Sequence, residues 1–216
     1  MSIEMQLAGF LFYWIIFTNV ASVWFGLETY SNLDSTAKLQ KINKDPKKFK
    51  IGLIFILLEH VSIIALAIML FIAFSSYNII LGIVWVSFRI SEGLLQIYYK
   101  KDYWQLLHIA EQYAVARGVE QNALIEFGRS ILKTKNASFA FAQILFSIGT
   151  LAYSILFVTI EEVPAFFGWF GIVASILWGV GNAVLLVKPD FELLSNVGGL
   201  LVLIFEIVLG GWLLLV

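Results

Sequence analysis

Six long runs of mostly apolar residues decide what this chain can fold into. They cover about 6–27, 51–74, 77–99, 138–160, 167–187 and 193–216. At about 1.5 Å of rise per residue, each is long enough to cross a bilayer as a helix with some tilt. Lipid offers backbone groups no hydrogen-bond partners, so only helices and closed barrels span it, and unbroken runs select the helix. Charge agrees: 13% of the 216 residues are charged and 60% are hydrophobic, about half the charge of an ordinary soluble domain. The fold class expected is all-α, an integral membrane bundle of six transmembrane helices in a single domain, 1–216. The N-terminal MSIEMQ has no basic region of a signal peptide and the first run outlasts an h-region, so that run is counted as a span.

An extra cytoplasmic interfacial helix is expected over about 103–131. Asp102 and Gln105 have capping-box spacing, and Leu106, Leu107, Ala110, Tyr113 and Ala114 fall on one helical face. Tyr103 and Trp104 suit the headgroup level. The pattern fits a helix lying on the membrane and equally one packed on the other lysine-rich loop.

Basic residues set the expected orientation. Lys38, Lys41, Lys44, Lys47, Lys48 and Lys50 follow the first span. Lys100, Lys101, Arg117, Arg129, Lys133 and Lys135 follow the third, and Lys188 the fifth. The opposite side has no Lys or Arg and carries Glu161 and Glu162. The positive-inside rule then puts the lysine-rich loops in the cytoplasm and both termini outside a cell membrane.

Against this apolar background, Glu59, His60, Arg89, Glu92 and Glu206 fall inside spans. Asn19, Gln96, Gln143, Asn182 and Asn196 add amides, mostly in the lysine-rich half. The four charged side chains lie roughly 10 to 20 Å from that end. Facing lipid, each would cost about 2.5–3.5 kcal/mol, so one interior polar cluster is expected. Arg89 and Glu92, three apart on one helix, can pair, with Glu59 or Glu206 taking the remaining donors. Three carboxylates still face one arginine, and the excess calls for a proton, a charged His60 or a recruited cation.

Other chemistry is thin. With no cysteine there are no disulfides, thiolate nucleophiles or thiolate metal sites. HExxH, GxSxG and P-loop patterns are missing, so no metal site and no cofactor is expected. A net charge of −1 gives no reason to expect nucleic acid. Gly171, Ser175, Gly179 and Ala183 recur at every fourth position of span five, a helix-packing signal, after Pro164 in the outer turn.

Three functions remain open. The unbalanced carboxylates favour a small transporter for a proton, a cation or a cationic amphiphile. A lipid or isoprenoid enzyme would use Glu59, His60 and Glu206 as acid and base, with Arg89 on a headgroup. A non-catalytic accessory, assembly or sensor subunit would use the cluster only as a fastening, with membrane lipids, a homo-oligomer or a partner subunit as its contacts. The balance leans away from an enzyme.

Four stretches, FRISEGLLQ, SFAFAQILFSIGTLAYSILF, VPAFFGWFGIVASI and IFEIVLGGWLLL, resemble an uncharacterised multi-pass membrane family, domain of unknown function 4386. The resemblance covers most of the chain. It implies a shared fold and importance for Arg89, Glu92, Pro164, Gly168, Glu206 and Trp212, and it implies no activity. Glu161 and Glu162 stand where the family commonly has basic residues, and the lysine-rich first loop is unusual for it. Orientation therefore rests on this chain's own charges.

Overall fold

The computed structural model describes residues 3–28 and 34–216. In chain order it contains α1 (Ile3–Trp24), α2 (Ser35–Lys44), α3 (Pro46–Phe74), α4 (Ile79–Tyr98), α5 (Lys101–Val115), α6 (Val119–Thr159), α7 (Ala165–Val187) and α8 (Leu193–Leu215). No strand occurs among the described residues. Six helices are long and apolar enough to cross a membrane, and the chain is an all-α membrane bundle. Local chemistry sets several starts. Asp34 accepts from the Ala37 amide at 3.0 Å and opens α2. Asp45 accepts from Lys48 at 2.9 Å beside Pro46, whose missing N–H costs nothing in a first turn. Asn78 caps α4 through the Leu81 amide at 3.2 Å.

The stretch 103–131 is divided between two helices. Ala116 turns extended and Gly118 takes φ +60, a conformation that favours glycine. Residues beyond it belong to α6, whose 41 residues run unbroken into the fourth span. The capping-box expectation fails here. Lys100 is the N-cap and Asp102 sits inside the first turn, because the chain already adopts helical angles at Lys100. The buried face of α5, including Tyr103, Leu106, Leu107, Ala110 and Tyr113, packs with Leu39, Ile42, Phe49 and Leu132. It thus rests on α2, α3 and α6, and exposed Trp104 and Ala114 point away.

The six long helices close into a ring in the order α1, α3, α4, α6, α7, α8, with α8 returning to α1. Small residues bring them together. A Cβ on Gly168 would lie 2.8 Å from the Ser154 carbonyl on α6, and one on Gly179 would lie 2.8 Å from the Ser147 Cβ. A Cβ on Gly171 would lie 2.8 Å from the Phe205 ring of α8. The span-five stripe therefore lets α7 pack closely on both neighbours.

Two large apolar cores result, beside a small cluster of Phe146, Ala174 and Val202. One, built on Phe12, Ile63, Leu66, Tyr153, Phe157, Phe205 and Leu209, fills the ring toward the chain termini. The other joins the cap helices α2 and α5 to α3 and α6 at the lysine-rich end. Between them lies the polar layer.

Candidate functional site

Each polar group reaches the layer through the buried face of its helix. On α4 that face reads Trp85, Arg89, Glu92, Gln96, at steps of three and four. Arg89 is 2% exposed, and its Nη1 donates to Glu92 Oε2. Its guanidinium lies 4.3 Å from the Phe146 ring centroid and 5.3 Å from that of Trp85, cation–π geometry in a desolvated setting. Trp85 is fixed by donating to the Ala67 carbonyl at 3.0 Å. Gly149 makes room for the arginine stem, since a Cβ there would meet Arg89 Cγ at 3.0 Å.

Glu59 and His60 are neighbours on α3 and point about 100° apart. Both still face the layer, because α3 is flanked by α1 on one side and α4 on the other. Glu59 accepts from Asn19 Nδ2 at 3.1 Å. His60 lies where α4 comes close, with a Cβ on Gly93 only 3.3 Å from its carbonyl. Both His60 ring nitrogens and Arg89 Nε are buried without a hydrogen-bond partner among the described residues. Glu206, on α8, is half-buried.

These groups line a single cavity of about 290 Å³. Asn19, Glu59, His60, Arg89, Glu92, Gln96, Gln143 and Glu206 all border it. Asn182 does not border it. That side chain is fully buried and donates to the Trp178 carbonyl at 2.9 Å. Asn196 is exposed. Gln143 accepts from Trp178 Nε1 at 3.0 Å, which ties α6 to α7 at the cavity wall.

The charge pairing differs from the simplest expectation. Among the described residues, Arg89 pairs with Glu92 alone, and no Lys, Arg or His nitrogen lies within 4.0 Å of Glu59 or Glu206. No group of three His, Cys, Asp or Glu side chains among them is placed to hold a metal ion. Among the described residues, His60 forms no hydrogen bond to a carboxylate.

Sequence reasoning did not assign several lining residues to the cluster. Glu28, Tyr99, Lys100, Tyr103 and Lys135 close the lysine-rich end of the cavity. Lys100 is only 7% exposed, and it continues the Arg89, Glu92, Gln96 face by four more residues, a periodicity that could have marked it. Lys135 gave no such signal, because α6 begins far ahead of its membrane span. Its Nζ donates to the Glu28 carbonyl at 2.9 Å. Glu28 also pairs with Lys38 at 3.3 Å and Lys41 at 3.4 Å. Burial pushes the Lys38 ammonium down, opposed by Glu28. Burial pushes the Glu28 carboxyl up, but Lys38 and Lys41 together hold it below its ordinary value.

A family model described as "Domain of unknown function (DUF4386)" matches residues 7–216. No curated protein and no solved structure matches the chain.

Proposed function

We propose that this chain, which belongs to the DUF4386 family of proteins of unknown function, is a small transporter that exchanges protons for a cation in the cell membrane. The observation that carries the reading is the charge pattern of the cavity. Arg89 is committed to Glu92, whereas among the described residues no basic group lies in ion-pair reach of Glu59 or Glu206, and Lys100, at the lysine-rich end of the same cavity, stays beyond that distance. Two carboxylates in a low-dielectric interior need a compensating positive charge. Either a proton or a bound cation supplies it, and alternation between the two couples their movements. The donor arrangement argues for a monovalent organic cation, since among the described residues Glu59 and Glu206 are not grouped with a third ligand.

Topology follows from the same physics. The lysines and arginines of α2, α5 and the N-terminal turns of α6 gather at one end, which the positive-inside rule assigns to the cytoplasm, with both termini outside.

The test is transport in proteoliposomes under an imposed pH gradient, with tetraethylammonium as the added cation and a lumenal pH dye as readout. Wild type should release the gradient when the cation is added, and Glu206→Gln and Glu59→Gln should not. Equal gradient release from wild type, both variants and protein-free vesicles would remove the proposal.

A further inference from the structure

Two neighbouring helices of the ring, α1 and α8, both border the cavity. Toward the termini, α1 and α8 are in close contact: a Cβ on Gly9 would meet the Gly210 carbonyl at 2.8 Å, and Tyr13 Oη donates to the Ile207 carbonyl at 2.9 Å. Continuing this antiparallel register brings Asn19 and Val20 opposite Leu203 and Gly199. Those residues border the cavity instead. Among the apolar lining residues, only Val20 and Leu203 are exposed, at 61% and 40%. They stand on the facing edges of α1 and α8, so the cavity meets the protein surface between these two helices, in the lysine-rich half of the membrane.

Apolar side chains flank the cavity at both ends. Phe12, Ile63 and Phe205 lie on the terminal side. Leu27 and Tyr103, packed with α2 and α5, lie on the lysine-rich side. An opening flanked by Val and Leu at membrane depth faces acyl chains.

We infer that α1 and α8 form a lateral portal through which a single-chain amphiphile with an ammonium headgroup reaches Glu206 and Glu59 from the lysine-rich leaflet. The inference rests on the cation-exchange reading and adds the substrate's class and route. Glu206 is one helical turn inside Leu203 on α8, and Asn19, which holds Glu59, adjoins Val20 on α1. A cationic head entering between the lips therefore meets first the two carboxylates that have no ion-pair partner among the described residues. Trp178 offers an aromatic face on the same wall. A volume of about 290 Å³ holds a headgroup and the start of a chain, and leaves the rest of that chain in the portal and the lipid.

The absence of native cysteine makes a direct test available. In Val20→Cys/Leu203→Cys, a cleavable bismaleimide joins the two lips. Photo-crosslinking of a diazirine-tagged hexadecyltrimethylammonium is then measured in liposomes, beside the gradient release by tetraethylammonium. The expected result is a loss of at least about tenfold in amphiphile labelling on clamping, with recovery when the linker is cleaved. That recovery separates blockage from misfolding. The bulky Val20→Trp, which needs no linker, should lower labelling as well. Undiminished labelling in the clamped protein would overturn the portal. If tetraethylammonium still releases the gradient in that case, the exchange reading stands without it. If wild type neither binds the amphiphile nor releases the gradient, both fall.

Discussion

Arg89→Met isolates the energetics of the polar layer. Methionine keeps the apolar stem beside Gly149 and removes the guanidinium. Glu92, 1% exposed, then has no cation among the described residues within ion-pair reach. Removing one partner of a buried pair costs about 3–5 kcal/mol. Loss of the ring contacts to Phe146 and Trp85 adds about 1 kcal/mol. The expected single-variant loss is therefore about 4–6 kcal/mol. Replacing both partners, Arg89→Met with Glu92→Leu, removes the uncompensated charge, so about 3 kcal/mol or more of that loss should return. Equilibrium unfolding in mixed micelles, titrated with SDS and followed by circular dichroism, reads both numbers. If the double variant is as unstable as the sum of the singles, within about 0.5 kcal/mol, Arg89 is not held for Glu92 and the reasoning is wrong.

Other expectations follow from contacts in the same bundle. Gly149→Leu drives a side chain into the Arg89 stem and should cost about 1–3 kcal/mol in the same titration. Trp85→Phe loses the donation to the Ala67 carbonyl and should cost about 1 kcal/mol. Gly168→Val places a branched side chain against the Ser154 carbonyl, which should separate α6 from α7 and lower the thermal aggregation temperature more than the neighbouring, exposed Trp169→Val. The clasp on Glu28 is pH-sensitive. Its carboxyl is held below the ordinary value of 4.5, so its contribution is complete above that value and is lost as pH falls through the lower folded-state value. Hydrogen exchange at Phe25–Glu28, corrected for its intrinsic pH dependence, should rise over that range in wild type. In Glu28→Gln it should be fast already at neutral pH.

Much of the fold was legible because lipid imposes a length and a polarity on every span. The Arg89, Glu92, Gln96 face could be read from helical periodicity alone. The cap was harder. Leu106, Leu107 and Tyr113 define an amphipathic face, but amphipathicity does not distinguish a lipid surface from α2 as the partner. Gly118 decided where α5 ends, and a helical pattern tolerates a glycine on either reading. Lys100 and Lys135 were counted only as cytoplasmic charge and also wall the cavity, Lys100 from the junction of α4 and α5 and Lys135 from within α6. The opening between α1 and α8 had no sequence signal. The portal we infer rests on where α1 and α8 touch, at Gly9 and Gly210, and where their exposed residues Val20 and Leu203 border the cavity, a matter of packing geometry rather than composition.

Calorimetry of tetraethylammonium binding, run in two buffers of different ionisation enthalpy, tests the central claim most directly. The account predicts that purified wild type releases protons as the cation binds. It also predicts that Glu59→Gln and Glu206→Gln each bind more weakly and release fewer protons. Binding with the same heat in both buffers, unchanged in the two variants, would contradict the exchange of a proton for a cation at these carboxylates.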